Sequence, residues 1–309
     1  MIKIRAGFTL IEISIVLVII GLLVGGILTG QDLINAASQR AQIAQIDKYN
    51  TAVRTFQGKY GFLPGDITDP PASNFGFQPR GQYDGEGDGD GILRGNCVNT
   101  SMPNDLQRRL NAGCGELAVF WVDLSTAGLI DTSITSGTST LPRINSNPSS
   151  AITLLSTPAI QNWLPQAKLG HGNYMYVNSQ SAINNFTVST VTQINQRITS
   201  TLYPGITVQQ AYNIDKKIDD GLPQSGNVNT CYLNENVVSQ IFIWAANQVE
   251  GASGGNSDGG TNHCLPSTAA TPYAPTNCFD NNNVAGAQMT YSLSQNANVQ
   301  NCALSFRFQ

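Results

Sequence analysis

Charged side chains are scarce in this chain of 309 residues. Asp, Glu, Lys and Arg make up 12% of it, against about 25% in an average soluble protein. The 16 basic and 20 acidic residues leave a net charge of −4, and the longest basic runs are the pairs Arg108-Arg109 and Lys216-Lys217. Because dedicated nucleic-acid binding requires a concentrated basic surface, no such site is expected.

Residue groups typical of metalloenzymes and hydrolases are lacking as well. The two histidines, His171 and His263, have no matching cluster of ligand residues, and no cysteines form a CxxC pair, which argues against a zinc ribbon. The GxSxG spacing at 251–255 follows a predicted helix instead of a strand, so it does not indicate a nucleophile elbow. We therefore predict no catalytic residue and no enzymatic activity.

Proline is absent before Pro64, and a long apolar run fills part of this stretch. Residues 6–30 contain a single ionisable side chain, that of Glu12. A run of about 20 apolar residues can cross a bilayer as a helix, and a charge inside it costs roughly 2.5–3.5 kcal/mol, so it is normally kept for a partner. Lys3 and Arg5 precede the run, so the amino terminus is expected to stay in the cytoplasm while the rest of the chain is exported.

Good helix formers continue beyond the apolar run to Tyr60. We predict one helix from Phe8 to about Tyr60, whose first half, 8–30, crosses the membrane and whose second half, 31–60, is amphipathic. The predicted apolar stripe of the second half comprises Ile34, Ala37, Ala41, Ala44, Tyr49, Ala52, Val53 and Phe56. This stripe is expected to pack on a globular head, which we define as residues 61–309.

The head contains signals for both helices and strands, which predicts a single α+β unit. An inserted subdomain around 132–205 is the alternative organisation. The predicted helices are Glu116–Ile130, Val208–Asp220 and Val237–Glu250. The predicted strands are Tyr174–Val177, Phe186–Val191, Gln288–Ser292 and Ala303–Phe308, with strand and loop over Thr132–Ser156.

All six cysteines lie in the head. They are Cys97, Cys114, Cys231, Cys264, Cys278 and Cys302. An even number in an exported segment favours disulfides, although six cysteines allow about 15 connectivities. Sequential pairing, 97–114, 231–264 and 278–302, is the simplest arrangement, and buried free thiols are the alternative.

An acidic, glycine-rich loop places carboxylates at alternate positions, at Asp84, Glu86, Asp88 and Asp90. Calcium prefers about six to eight oxygen ligands, and such a loop can wrap around the ion. Counted from Glu86, acids occupy loop positions 1, 3 and 5 and a glycine occupies position 6, but position 12 is Cys97 in place of the bidentate glutamate. Two interpretations therefore remain: a structural calcium site and a solvated acidic turn.

The stretch Gly7-Phe8-Thr9-Leu10-Ile11-Glu12 resembles the processing signature of type IV pilins and pseudopilins. The resemblance implies that residues 1–7 are a leader, that prepilin peptidase cuts between Gly7 and Phe8, and that Phe8 is then N-methylated. It also implies a helical filament in which Glu12 of one subunit pairs with the Phe8 ammonium of another. The implied fold is a long amino-terminal helix packed on a head of antiparallel sheet and short helices.

Other stretches resemble a subgroup of prepilin-like proteins with large heads. They are LPGD (63–66), GDGDG (87–91), FWVDLSTAGLI (120–130) and YNIDKKIDDGLPQSG (212–226). The subgroup resemblance implies a shared head fold and indicates no chemistry.

The pilin resemblance implies a structural subunit of a type IV pilus-like filament or of a type II secretion pseudopilus. A minor pilin or tip pseudopilin, whose large head initiates assembly or binds a ligand, a surface or a secreted substrate, is the alternative. The implied partners are other pilin subunits, the prepilin peptidase and the inner-membrane assembly platform.

The same resemblance implies where the chain is found and what it binds. The precursor is expected to be a single-pass inner-membrane protein with a periplasmic head, and the mature form to lie in a pilus or pseudopilus, in the periplasm or at the cell surface. No cofactor is required. Related pseudopilins use calcium to order a head loop, which makes Ca²⁺ the one candidate ligand.

Overall fold

A long helix followed by a mixed head is the architecture of the chain. The structure, a computed structural model, describes residues 9–81, 83–95, 115–135, 160–170, 172–180, 183–191, 202–230, 233–234, 243–244 and 277–308. Within these residues the helix precedes a head with an antiparallel sheet and short helices. The predicted α+β class is confirmed.

The first helix, α1, runs without interruption from Leu10 to Tyr60 over 51 residues, which is about 76 Å at 1.5 Å per residue. It begins at Thr9 with a capping box, in which Thr9 and Glu12 bind each other's backbone N–H groups. It ends at Gly61, whose left-handed backbone (φ 79°) lets its N–H donate to the carbonyl oxygen of Gln57. The predicted helix is confirmed except for Phe8, which lies outside the described residues.

The second half of α1 packs on the head through a face that only partly matches the predicted stripe. Its buried residues are Gln42, Gln45, Ile46, Tyr49, Ala52, Val53 and Phe56. The earlier members of the predicted stripe, Ile34, Ala37, Ala41 and Ala44, are exposed instead. The prediction is wrong for these four because burial of α1 begins only at Gln42 and its buried face is turned toward Gln42 and Gln45 in place of Ala41 and Ala44.

Those two glutamines form hydrogen bonds with the backbone of the head. Oε1 of Gln42 accepts from the N–H of Lys168 at 2.8 Å, and Nε2 of Gln45 donates to the carbonyl oxygen of Gln166 at 2.9 Å. A buried amide that is paired in this way avoids the cost of an unpaired polar group. Gln42 and Gln45 therefore attach α1 to one segment of the head.

The main sheet combines the middle and the end of the chain. Its strands are β1 (Asn173–Gln180), β2 (Ile183–Val191), β3 (Leu202–Tyr203), β4 (Val228–Asn229) and β9 (Leu304–Arg307). The order is β1-β2-β9-β4, with β3 also paired to β2, and all pairs are antiparallel. The strands predicted at 174–177, 186–191 and 303–308 are confirmed. Since β2 pairs with the carboxyl-terminal β9, the alternative of a separate subdomain at 132–205 does not hold for β1 and β2.

The described part of the head contains four short helices. They are α2 (Pro71–Asn74), α3 (Gly115–Thr126), α4 (Val208–Ile218) and α5 (Leu293–Asn296). The predicted helix at 116–130 is confirmed as α3 but ends earlier, because Gly128 adopts a left-handed conformation (φ 69°). The helix predicted at 208–220 is confirmed as α4, which a Thr207–Gln210 capping box starts.

The predicted helix over 237–250 is wrong where the structure describes it. Residues Ile243–Trp244 form strand β6, which pairs antiparallel with β5 (Leu233–Asn234). The segment is rich in β-branched and aromatic residues, which favour strands, although their spacing also fits a helix. The rest of 237–250 lies outside the described residues. The same holds for the predicted strand and loop over Thr132–Ser156, of which only residues 132–135 are described.

Near the carboxyl terminus, strands β7 (Phe279–Asp280) and β8 (Thr290–Tyr291) form a small ladder, and β8 confirms the strand predicted at 288–292. Cys278 and Cys302 form a disulfide with their Cα atoms 5.1 Å apart, as sequential pairing predicts. The other four cysteines lie outside the described residues.

The core lies where α1, α3 and the sheet meet. Tyr49 of α1 is edge-on to Trp121 of α3 with ring centroids 4.9 Å apart, and Trp121 stacks on Phe186 of β2 at 5.8 Å. Trp121 and Phe186 are completely buried. Aromatic pairs in this geometry add about 0.5–1.5 kcal/mol beyond their buried area, so this cluster holds the three elements together.

Candidate functional site

The first half of α1 is an exposed apolar surface. Its side chains include Leu10, 88% exposed, and Leu22, 73% exposed. This part of the helix is long and apolar enough to cross a membrane, and none of it is buried against the described residues of the head. Since contiguous apolar surface of this size is rare on soluble monomers, the segment is consistent with a membrane span or with packing against another apolar helix.

At the start of this segment, Glu12 is held by Thr9. Oε2 of Glu12 accepts hydrogen bonds from the N–H and from the hydroxyl of Thr9, both at 2.8 Å, and the N–H of Glu12 donates to that hydroxyl at 3.3 Å. The carboxylate is therefore oriented back toward the amino terminus of the helix, where negative charge also suits the helix dipole. Gly7 and Phe8 lie outside the described residues, so their roles stay predictions.

The comparison with protein families matches this end of the chain. Residues 2–28 match the family model described as the prokaryotic N-terminal methylation motif. The chain carries the type IV pilin and pseudopilin signature. No curated protein and no solved structure matches the chain. The matched motif supports a type IV pilin-like precursor, and the apolar helix is consistent with anchoring such a precursor in a membrane.

In the head of this pilin-like precursor, Asp66 organises the acidic loop. Oδ1 of Asp66 accepts from the N–H of Gly89 at 2.6 Å, and its Oδ2 accepts from the N–H of Gly91 at 2.7 Å. Burial raises the pKa of Asp66 to about 6, the neighbouring carboxylates of Asp88 and Asp90 add to the rise, and the two backbone donors oppose it. The LPGD stretch thus places a buried carboxylate under the GDGDG stretch.

Glu116, at the start of α3, binds the same loop through other backbone groups. Its Oε1 accepts from the N–H groups of Gly87 at 3.0 Å and Asp88 at 3.3 Å, and its Oε2 accepts from that of Arg94 at 2.7 Å. The side chain is completely buried. Burial, together with the negative charges of Asp66 and Asp88, raises the pKa of Glu116 well above its ordinary value.

Asp66, Asp88 and Glu116 form a carboxylate cluster whose oxygens all lie within 4.8 Å of one another. Two oxygens that bind one Ca²⁺ at about 2.4 Å can be no more than about 4.8 Å apart. The donor set is therefore compatible with a shared hard cation. The same carboxylates accept hydrogen bonds from the backbone of the loop, so they could also hold the loop in place without an ion.

Only Asp88 of the predicted calcium ligands belongs to this cluster. Glu86 is buried and accepts from the N–H of Tyr83 at 3.1 Å, and Asp90 forms an ion pair with Arg94. Asp84, the fourth predicted ligand, is exposed. Sequence analysis missed Asp66 and Glu116 because they lie before and after the loop in the chain. A signal that could have pointed to Asp66 is its position in LPGD.

A second acidic group comprises Asp215, Asp219 and Asp220. Oδ2 of Asp219 accepts from the N–H of Val228 at 3.1 Å, and Oδ1 of Asp220 accepts from that of Leu222 at 2.8 Å. These two carboxylates thus cap the turn that follows α4. Asp215 differs from them because it is buried, with its Oδ2 accepting from the phenol of Tyr291 at 2.6 Å. Burial raises the pKa of Asp215 to about 7.

Proposed function

We propose that this pilin-like precursor is a structural subunit of a type IV pilus-like filament or pseudopilus. The supporting observation is the exposed apolar half of α1, which directly follows the processing signature. After cleavage between Gly7 and Phe8, this half leaves the bilayer and packs among the same helices of other subunits. The function is assembly and presentation of the head, with no turnover.

Glu12 sets the contact between subunits in this proposal. A buried ammonium at Phe8 needs an anion, and pairing in an apolar medium gives register more than net stability because desolvation opposes it. Among the described residues, Oε2 of Glu12 is bound by Thr9, and its Oε1 is left for a donor from another subunit. The prepilin peptidase and the inner-membrane assembly platform are the other partners.

Mass spectrometry of the mature chain tests the processing step on which assembly depends. We expect a first residue at Phe8, carrying one methyl group on its nitrogen. Gly7→Val should accumulate as uncut precursor, because a peptidase that binds the extended chain accommodates a residue without Cβ most easily. A mature chain that begins at another residue would contradict the proposal.

A minor pilin or tip pseudopilin is the second candidate, and the length of the head, 61–309, favours it. A large head suits initiation of assembly or binding of a ligand more than tiling along a fibre. Quantification of the chain in sheared surface filaments and in membranes separates the two roles. A main subunit dominates the filament fraction, and a minor subunit is present there only in traces.

We also propose that calcium, if a cation binds the head, orders the acidic loop. Asp66, Asp88 and Glu116 supply the hard oxygen donors that Ca²⁺ prefers. Bound calcium would offset the repulsion between these carboxylates, of which Asp66 and Glu116 are buried and Asp88 is exposed. Its role would be structural, since no reaction is assigned to the head.

A further inference from the structure

Basic side chains gather where α1 meets the head, and all of them are exposed. They are Arg40 of α1, Lys168, and Lys216 and Lys217 of α4. We call these four residues the basal cluster. Within the described residues, no ion pair includes a member of the basal cluster, so its positive charges are not neutralised there by a bound carboxylate.

The basal cluster lies at the end of the head from which the apolar half of α1 projects. The N–H of Lys168 donates to Oε1 of Gln42 at 2.8 Å, and Nδ2 of Asn213 on α4 donates to Oε1 of Gln39 at 3.4 Å. Within the described residues, Gln39 is the first residue of α1 that forms a hydrogen bond with the head. Lys168 and α4 are therefore attached to α1 at the level where the head begins.

The two lysines of α4 lie on the side of that helix that contacts α1. Lys216 and Lys217 follow Asn213 by three and four residues, and residues at these spacings are neighbours on a helix surface. Nζ of Lys216 donates to the phenol oxygen of Tyr212 at 3.0 Å, and an ammonium group has two further donors. Both ammonium groups can therefore bind an anion at the end of the head where α1 enters it.

The length of α1 sets the distance between this surface and a membrane. Gln39 lies nine residues beyond Gly30, where the predicted membrane half ends, which is about 13.5 Å along the helix. The lipid headgroups occupy about 5–7 Å of this distance. The remaining gap is about one Debye length at physiological ionic strength, roughly 8 Å, so the basal cluster lies within electrostatic range of the headgroups.

We propose that the basal cluster binds the phosphate groups of anionic phospholipids in the membrane that α1 spans. This inference rests on the proposed function in one respect, because it takes the first half of α1 as the membrane span. Clusters of Lys and Arg next to a membrane helix are attracted to anionic lipid surfaces, and α1 holds this cluster beside such a surface. The contact fixes the head on the membrane before assembly and is lost when the subunit leaves the bilayer.

Acidic side chains near the basal cluster offset its charge only in part. Asp219 and Asp220 follow α4, and their carboxylates accept from the N–H groups of Val228 at 3.1 Å and of Leu222 at 2.8 Å. These two carboxylates are thus turned toward the backbone of the loop after α4. Asp32 is the one acidic residue of α1 between Gly30 and Arg40. The side chains left to contact the headgroups are therefore mainly basic.

Photo-cross-linking to lipid measures this contact in the full-length chain. A photoreactive benzoylphenylalanine replaces Gln166, whose side chain is exposed two residues before Lys168, and the chain is placed in nanodiscs of equal phosphatidylglycerol and phosphatidylcholine. We expect about fivefold more cross-linked phosphatidylglycerol than phosphatidylcholine, with most of this preference lost at high salt because salt screens exposed charges. Equal labelling of the two lipids at low salt, or a preference that salt does not reduce, would overturn the inference.

Charge reversal identifies the side chains responsible for the lipid preference. We expect Lys168→Glu and Lys217→Glu each to lower the yield of cross-linked phosphatidylglycerol about threefold. Lys59→Glu is the matched control, because it makes the same change in charge at an exposed position of α1 that lies 20 residues beyond Gln39, about 30 Å farther from the membrane. A yield unaffected by the first two variants, or lowered equally by Lys59→Glu, would contradict the proposal.

The position of the probe gives a second control. Benzoylphenylalanine in place of Asn74, which is exposed and adjoins Phe75, lies near the far end of α1, because the rings of Phe75 and Tyr60 are 5.1 Å apart. We expect little labelling of either lipid from this position. Labelling equal to that from position 166 would mean that the end of the head at Gln39 does not face the membrane, and would overturn the inference.

These measurements separate the lipid contact from the function on which it rests. Equal labelling of the two lipids by a chain that is found in sheared filaments overturns the contact and leaves the subunit role intact. Selective labelling of phosphatidylglycerol by a chain that is absent from every filament fraction supports the contact and overturns the subunit role.

Discussion

Arg80 and Asp123 form an ion pair inside the head, with Nη2 of Arg80 lying 2.5 Å from Oδ2 of Asp123 and at most 1% of either side chain exposed. Oδ2 of Asp123 also accepts from the N–H of Gly65 at 2.6 Å. Burial raises the pKa of Asp123, and the charge of Arg80 opposes the rise. The pair joins the chain that follows α1 to helix α3.

Removal of one partner of this pair should be more harmful than removal of both. We expect Asp123→Leu to lower the free energy of unfolding by about 3–5 kcal/mol, because it leaves the Arg80 charge buried without its partner. The double variant R80M/D123L should be more stable than the single one. Chemical denaturation of the detergent-solubilised chain measures both, and a double variant as unstable as Asp123→Leu would contradict this account.

Calcium should stabilise the head if the carboxylate cluster binds it. Ligand at about 100 times its Kd adds about 2.7 kcal/mol, which is readily seen as a rise in Tm. We expect Asp66→Asn to remove most of this rise and Asp84→Asn, at an exposed position, to retain it. If Asp84→Asn removed the rise in Tm and Asp66→Asn retained it, the ligands would be the alternate carboxylates of the loop. If calcium did not raise the Tm of the wild type, the loop would bind no ion.

The disulfide between Cys278 and Cys302 encloses a segment with a sequence separation of 24 residues. In the chain-entropy description, a loop of this size is worth about 3 kcal/mol. The double variant C278A/C302A should therefore lower the free energy of unfolding by roughly that amount. Reduction of the wild type with a thiol should have at least this effect, and an unchanged Tm in the double variant would contradict the prediction.

Asp215 should make the stability of the head depend on pH. Its pKa in the folded protein is about 7, raised first by burial and further by the charges of Asp220 and Asp219, against about 3.9 when unfolded. Folding therefore favours the protonated form, and stability falls as pH rises from about 4 to 7 and then levels off. Asp215→Asn should show a smaller decline of Tm over this range. An identical decline in the two proteins would exclude Asp215 as the cause.

Glu12→Ala should leave the precursor membrane-anchored and cleaved but should reduce its incorporation into filaments. The substitution removes the acceptor for Thr9 and for a neighbour's ammonium, while the apolar length of the helix is unchanged. Immunoblots of sheared filaments and membranes measure the distribution. Ser14→Ala, which also removes a polar side chain from this segment, is the control, and normal incorporation of Glu12→Ala would refute the register role.

The sequence predicted α1 well because its signals are local. The absence of proline before Pro64, the pair Thr9 and Glu12 and the terminating Gly61 all act within a few residues. The buried face of the helix was harder to predict. Gln42 and Gln45 are buried because they form hydrogen bonds with residues more than 120 positions away in the chain. Hydrophobic periodicity cannot reveal such partners.

The acidic loop shows the same limit. Its alternating carboxylates were visible in the sequence, but the residues that approach Asp88 are Asp66 and Glu116, which only folding brings together. Arg80 and Asp123 were missed for the same reason, since burial of opposite charges depends on elements that are far apart in the chain. Groups of acidic residues that are close in the sequence could be predicted. Contacts between residues that are far apart in the sequence could not.

The hydrogen bonds of Gln42 and Gln45 to the backbone around Lys168 have a mechanical consequence. A purely apolar contact would let the head slide along α1 or rotate about it, since apolar contacts are not directional. The amides of Gln42 and Gln45 resist both movements, because sliding or rotation of α1 would break their hydrogen bonds to the backbone of the head. A pull or a torque on the membrane end of α1 is therefore passed to the head through these directional hydrogen bonds as well as through the apolar contacts of Tyr49, Val53 and Phe56.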